Sequence, residues 1–386
     1  MKVEQIYNVL NTITTETLGD SIIVSEDLSN IVDVGASFEN TVGLDNFVRS
    51  LVDHVGRMVF VDRVYGGRAP SVLVDGWEYG SILEKISVSL PEAQENETWN
   101  LRDGESYDPY IFKNPEVTAK FFNDRITFDI QLSITTKQVK SAFDNVSQMN
   151  SFMSMLYTSV NNSATVKTDA LIMRAINNMI GETLYSEFPN GTYTGVTGVR
   201  AVNLLKLYND TVAQADALTA SEFIRTPEAI RFAVATFKNY IDRIKVMSTL
   251  FNMGGQERFT PDDRLHIVML SEFANNADVY LQSDQFNEQY TALPYAERTV
   301  YWQGSGIDYG FDSTSAIKIQ TSAGHSIDAT GVIAVMFDRD ALGVANVDNY
   351  VTSAYNAKGD FTNNFYHYTQ GMWNDGNENF ILFYVA

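Results

Sequence analysis

Apolar positions recur at helical spacing through the middle of the chain. Between Phe143 and Glu182, Val146, Met149, Met153, Leu156 and Val160 fall three and four apart, and Ala170, Met173 and Ile180 resume the stripe after a polar stretch. No proline interrupts the run, which predicts one helix roughly 55–60 Å long at ~1.5 Å per residue. That is long for a globular helix. Its far face carries Asn, Ser, Thr and Lys, so a sheet built from the flanking segments is its natural partner.

The same patterning predicts the other elements. Residues 1–42 are mixed and turn-rich, with Ile6, Val9, Leu10 and Ile13 marking a short helix, and read as an arm as readily as part of a core. Leu44, Phe47, Val48, Leu51, Val52 and Val55 give a helix over 43–59, followed by an extended run over 60–65. Residues 66–125 read as a protruding hairpin. In it Ile86, Val88 and Leu90 alternate with serines, and a polar stretch then carries charge, Pro, Gly and aromatics. Its return strand is read from Ile126, Phe128, Ile130, Leu132 and Ile134, which alternate with polar residues. After the long helix, 198–217 predicts a helix. Thr226-Pro227-Glu228 opens another that runs toward Gly254-Gly255. Leu265–Leu270 reads as a buried strand with a helix starting at Ser271, and Val300–Gln303, Ala316–Ile319 and Gly331–Phe337 as further strands. The closing NFYHYTQGMWNDGNENFILFYVA reads as two antiparallel strands around Asn374–Asn377.

Composition narrows the classes. The chain of 386 residues is 45% apolar, enough for a sizeable core and for two or three domains. It has no run of eighteen apolar residues and no signal-peptide pattern at its N-terminus, so neither a membrane span nor secretion is expected. Cysteine is absent, which excludes disulfides and thiolate metal sites. A net charge of −21 repels bare phosphate backbones and argues against direct nucleic-acid readout. Twenty tyrosines exceed what a soluble monomer needs and favour subunit interfaces.

The search for chemistry yields no convergent set. Asp262 and His266 are four apart, but a turn precedes His266 and a strand begins there, so metal-ligand spacing on a helix loses its meaning. Ser315-Ala316-Ile317-Lys318 matches a Ser-x-x-Lys pattern in a segment that alternates as a strand, where an acyl enzyme needs a helix start. Gly304-Ser305-Gly306 and Gly254-Gly255 read as turns. The histidines His54, His266, His325 and His367 read as packing residues. In the hairpin tip, Glu92, Glu95, Glu97, Asp103 and Glu105 cluster without a calcium-loop pattern and read as a solvated tip, or one that faces another subunit. Trp77, Trp99, Tyr107 and Tyr110 in the same hairpin read as inter-subunit contacts rather than a ligand box.

The order of elements carries more information than any motif. An arm, a helix, a long two-stranded loop, a long helix, a mixed domain and a final return to the first sheet resemble the plan of the major capsid proteins of tailed bacteriophages, the Hong Kong 97-like fold. The likeness is to podophage-type head proteins in particular. NSFMSMLYTSVNNSATVKTDALIMRAINNM is similar to their spine helix. PDDRLHIVMLSEFANNADVYLQSD is similar to a strand and helix of their axial domain, and the segment from GVIAVMFDRDALG to the C-terminus to their last segment. The resemblance implies an α+β fold with an N-terminal arm over 1–42, a first helix over 43–62 leading into the peripheral domain, an extended loop over 63–125, a peripheral domain with the spine helix over 126–189, an axial domain over 190–345, and C-terminal return strands of the peripheral domain over 346–386.

The function so implied is self-assembly of hexamers and pentamers into an icosahedral head. That head encloses double-stranded DNA without sequence-specific readout and is assembled in the host cytoplasm. A portal protein and a separate scaffolding protein are implied partners, the latter because only about 42 residues precede the first helix. No catalytic residue, cofactor, metal or membrane is implied, and no immunoglobulin-like domain follows the last strand. Lys85, Lys113 and Lys120 lie in the loop, but nothing in the sequence establishes covalent cross-linking. Trp77, Glu84, Glu92, Trp99, Arg102, Tyr107 and Tyr110 are the subunit-interface candidates. A tail-tube subunit and an α/β enzyme are the alternatives. The long helix counts against the first, and the missing site counts against the second.

Overall fold

The computed structural model describes residues 67, 69–74, 83–91, 93, 95, 99, 102–106, 110, 112, 114–135, 146–213, 215–282, 294, 296–304 and 308–386. The arm, the helix expected over 43–59 and the extended run after it lie outside the described residues, as do Trp77, Glu92, Tyr107, Lys113 and His54.

In chain order, β1 (Leu73–Val74), β2 (Leu83–Val88), β3 (Val117–Phe122) and β4 (Arg125–Thr135) precede the long helix α1 (Val146–Glu187). β5 (Ala201–Asn203) leads into α2 (Leu204–Thr211), the one-turn α3 (Ala220–Phe223) and α4 (Pro227–Ile244). Then come β6 (Leu265–Leu270), α5 (Ser271–Gln282), β7 (Glu297–Thr299), α6 (Phe311–Thr314), β8 (Ile317–Gln320) and β9 (Ser326–Ala329). β10 (Val332–Asp338), β11 (Leu342–Asn356), β12 (Phe361–Asn374) and β13 (Phe380–Tyr384) complete the chain.

Among the described residues, β2–β3 and β8–β9 form two-stranded sheets, and two larger sheets hold the other nine strands. One has four strands in the order β1-β11-β12-β4, and the other five in the order β5-β13-β10-β6-β7. The five-stranded sheet is the centre of the core. β13 (FILFY) is wholly apolar and β10 (VIAVMFD) is apolar up to its closing Asp338, with every residue of both buried. Such runs suit strands covered on both faces. Phe237 and Tyr240 of α4 meet Phe383 edge-on at 4.8 and 5.3 Å, and Phe237 meets Phe273 of α5 at 6.0 Å. β12 instead alternates half-buried and buried residues, as a strand with two unlike faces does.

α1 is 42 residues long, about 63 Å. It touches strands of both sheets and the β8–β9 hairpin. Gln370 Nε2 on β12 donates to Thr168 Oγ1 at 3.0 Å, and Asn374 Nδ2 donates to the Ala175 carbonyl at 3.1 Å. Gly181 lets Ile319 of β8 lie directly on the helix, where a Cβ would come within 2.2 Å of its Cδ1. Leu171, Ile172, Ala175, Ile176, Met179, Ile180 and Leu184 are all buried. Burial here is wider than one stripe, because the second half of the helix is covered by more than one layer. Ala170, expected on the apolar face, is exposed.

Several expected elements differ. β2 pairs with β3, whereas β4 pairs with β12, so the strand read as the hairpin's return belongs to the four-stranded sheet. Half-buried Ile126, Phe128, Ile130 and Leu132 give β4 one packed face, and Phe128 stacks on Tyr368 at 5.0 Å. β12 and β13 do not form a hairpin. β12 returns to the four-stranded sheet, and the turn after it hands the chain to the five-stranded one, where the wholly apolar β13 is buried. The helix expected over 198–217 shrinks to α2, because Ala201–Asn203 pairs with β13 and the Asn203 side chain caps Lys206 N. α4 begins at Pro227 as expected but ends at Ile244, whose carbonyl accepts from Thr260 N at 2.9 Å. The strand expected at 300–303 lies at β7 instead, and Trp302 is fully buried beyond it.

Candidate assembly surface

The β2–β3 hairpin presents two unlike faces. Leu83, Lys85 and Ser87 of β2 are half-buried, and Glu84, Ile86 and Val88 are exposed. Across the register, Glu84 opposes Phe121, Ile86 opposes Ala119, and Val88 opposes Val117. The outward face is therefore apolar apart from Glu84, with Ile86 64% and Phe121 61% exposed. This inverts the usual rule that apolar surface leaves water.

The inward face is held by charge. Lys85 and Lys120 are directly opposite in the register, an arrangement of like charges that weakens a strand pair. Asp375, in the turn between β12 and β13, offsets it by accepting from both. Lys85 Nζ lies 2.8 Å from Asp375 Oδ2, and Lys120 Nζ lies 2.8 Å from Oδ1. Lys85 also reaches Glu378 Oε1 at 2.9 Å and the Asp340 carbonyl at 3.0 Å, and Glu378 receives Arg258 at 3.5 Å. The Asp375 side chain is only 3% exposed.

The turn that carries these acids is itself fixed. Asp375 N donates to the Ala341 carbonyl at 2.7 Å, and the Gly376 carbonyl accepts from Met253 N and Gly254 N. Burial works to lower the Lys85 ammonium, but its hydrogen bond to Asp375 and the charge of Glu378 outweigh it and hold the group above its ordinary 10.5. Burial works to raise the Asp375 carboxyl, but the hydrogen bonds from Lys120 and Lys85 hold it below its ordinary 3.8. The distances make this contact a network of salt bridges.

Of the residues singled out from the sequence, Glu84 is on β2, Trp99, Arg102 and Tyr110 lie in the segment between β2 and β3, and Trp77, Glu92 and Tyr107 lie outside the described residues. Trp99 and Tyr110 are 86% and 89% exposed. Arg102 and Glu105 are exposed and close a turn together, Arg102 N donating to Glu105 Oε2 at 3.0 Å and Glu105 N to the Arg102 carbonyl at 3.0 Å. Glu84 stands on the outward face of β2. Asp375 and Glu378 were missed. They lie more than 250 residues from Lys85 and Lys120, and their turn read only as a hairpin loop.

The chemical candidates separate. Asp262 pairs with Lys245 at 2.7 Å, while His266 lies 3.2 Å from Glu297 Oε2 and stacks on Phe337. Among the described residues no cluster of His, Asp and Glu could hold a metal ion. Ser71 joins the second group, its amide donating to Glu297 Oε2 at 2.7 Å and its hydroxyl to Oε1, with His266 Nε2 3.5 Å from the hydroxyl. Serine and carboxylate both approach the same imidazole nitrogen, whereas a Ser-His-acid relay needs one on each ring nitrogen. The cluster instead ties the segment before β1 to β6 and β7. Burial works to raise the Glu297 carboxyl, but the bonds from His266 and Ser71 bring it down to about 2. Ser315 Oγ donates to the Phe311 carbonyl and Lys318 pairs with Asp328, so the Ser-x-x-Lys match is structural. A cleft of about 710 Å³ lies beside α1, but Asn177 and Gln303 in its wall each donate a side-chain amide to a backbone carbonyl.

Comparison with known proteins places the chain. The family model of Phi29-like phage major capsid proteins matches residues 10–384. The chain belongs to that family, whose members are structural proteins of the virion. The major capsid protein of Bacillus phage GA-1 is 27% identical over 190 residues, which span 47% of this chain and 38% of that relative. The capsid structure of Staphylococcus phage Andhra aligns over 84% of this chain and 86% of its own, with 11% identity and a TM-score of 0.46. That of the cyanophage P-SCSP1u aligns over 84% and 88%, with 10% identity and a TM-score of 0.43.

Proposed function

We propose that the chain is the shell-forming subunit of an icosahedral phage head and that it acts by association. The observation that carries this reading is the hairpin face of Ile86, Val88, Val117 and Phe121, turned to solvent while the lysine face is anchored. A contiguous apolar face of this kind is an interface. Repeated around a ring and between rings, modest contacts add through multivalency to a stable shell. Trp99, Arg102, Tyr110 and Glu84 extend that contact, and Trp77, Glu92 and Tyr107 belong to the same segment.

In this reading the fold is Hong Kong 97-like. The four-stranded sheet with α1 is the peripheral domain, the five-stranded sheet with α4 and α5 is the axial domain, and residues 63–125 are the extended loop; of the segment 346–386 expected as peripheral return strands, β13 instead pairs within the five-stranded sheet. The partners are further copies of the chain in hexamers and pentamers, a separate scaffolding protein, a portal protein and packaged double-stranded DNA held without sequence readout. Assembly takes place in the host cytoplasm.

Negative-stain electron microscopy of the purified chain, expressed with and without its neighbouring phage genes, tests the reading. Closed polyhedral shells or five- and six-membered rings are expected. A dispersed monomer under both conditions overturns it.

A further inference from the structure

We infer that Lys85, Lys120, Asp375 and Glu378 form an ionic latch that selects which face of the β2–β3 hairpin points away from its own subunit. The inference rests on the shell reading, since the face so presented is the assembly surface. A two-stranded ribbon has two faces and can pack on either. Left to the hydrophobic effect, this one would roll its face of Ile86, Val88, Val117 and Phe121 onto its own body. It does not, and the charges give the reason. Asp375 is almost wholly out of water and needs cations beside it. Lys85 and Lys120 are opposite one another, so both cations project from the same face.

The opposite face offers Glu84 in their place. Rolling the ribbon would strip Asp375 of both partners and bring a third carboxylate toward Asp375 and Glu378. Arg258, the other cation on the cluster, reaches Glu378 rather than Asp375 and belongs to the loop before β6. The latch thus keeps the apolar face turned outward before a neighbour arrives.

The chain has no cysteine, so single cysteines report on each face of the full-length, unassembled protein. Ile86→Cys and Ser87→Cys are made separately, and their rates of reaction with a thiol reagent are compared. With the latch intact the outward position reacts roughly tenfold faster than the inward one. In the Lys85→Met/Lys120→Met background the ratio falls toward one. A ratio that stays at its original value in that background overturns the latch. Where the double variant does not fold, Lys120→Met alone serves, since its lysine is the more exposed of the two and Lys85 keeps its pairs. A smaller fall supports the latch, and no fall overturns it. Shell formation by the unmodified chain is scored separately by microscopy. Shells or rings together with an unchanged ratio sink the latch alone, and a dispersed monomer both with and without the neighbouring phage genes sinks the assembly reading whatever the ratio.

Discussion

Gly331 stands at φ +79°, and a Cβ there would lie 1.9 Å from the Val385 carbonyl oxygen. That carbonyl is backbone and cannot swing aside, because Val385 N is bonded to the Gly331 carbonyl at 2.8 Å. Only glycine lets the chain turn into β10 this close to the end of β13. Gly331→Ala is expected to lower unfolding free energy by at least about 2 kcal/mol, strain and overlap together, as read by denaturant titration of the unassembled chain. A loss within about 0.5 kcal/mol, the range of an ordinary surface change, would contradict the close approach.

Charged residues set a second expectation. Glu297 is brought from an ordinary 4.5 down to about 2, and Asp375 lies below its ordinary 3.8. A carboxyl lowered in the folded state contributes stability that is complete above its unfolded value and is lost as pH falls through its folded value. Stability should therefore decline from pH 4.5 toward about 2 through Glu297, and Asp375 adds to the decline below 3.8. Lys85, raised above 10.5, contributes throughout this range and loses its part only at higher pH. Glu297→Gln should flatten the decline between pH 4.5 and 2. A parallel curve for that variant would remove Glu297 from the account.

Among the elements, α1 shows how far burial varies along one helix. Ile176 is fully buried and Val166 is 68% exposed. Ile176→Ala is expected to cost about 2–5 kcal/mol and Val166→Ala less than about 0.5 kcal/mol in the same titration. Equal effects would mean that the helix does not lie between the layers as described. This helix was legible in the sequence because its apolar spacing, broken by a polar stretch after Val160, resumes beyond it with no proline in the run. β10 and β13 were legible as strands, though the expected pairing of β13 with β12 is not what forms, and the start of α4 was legible as Thr226-Pro227. β11 was not, because LGVANVDNYVTSAYN carries Asn, Asp, Ser and Thr through most of its length, and its pairing is supplied by β12. Nor was the partner of β2. VTAKFF alternates, Val117, Ala119 and Phe121 against Thr118 and Lys120, but the longer alternation of β4 just beyond it reads as the return strand, and the pairing with β2 shows only in the fold. The proposed assembly surface was only half legible. Its aromatics and the alternation of Ile86, Val88 and Leu90 stand in the sequence, but which face turns outward depends on acids on the far side of the chain.

At the scale of the whole molecule, two long-range terms compete when copies meet. Each chain carries a net charge of −21, so copies repel. The apolar hairpin face attracts without regard to charge. Salt separates the two, since the screening length is about 10 Å at 0.1 M and about 3 Å at 1 M, whereas apolar burial is not weakened by screening. The latch is less sensitive than either long-range term, because Asp375 is buried and contacts its lysines directly. Raising sodium chloride from about 0.1 M to 1 M should lower the concentration at which purified subunits assemble, measured by light scattering and sedimentation. If added salt instead dissolves the assemblies, inter-subunit ion pairs carry the contact. The interface would then have to be sought among the exposed charges, beginning with Glu84 and Arg102, rather than on the apolar face of the hairpin.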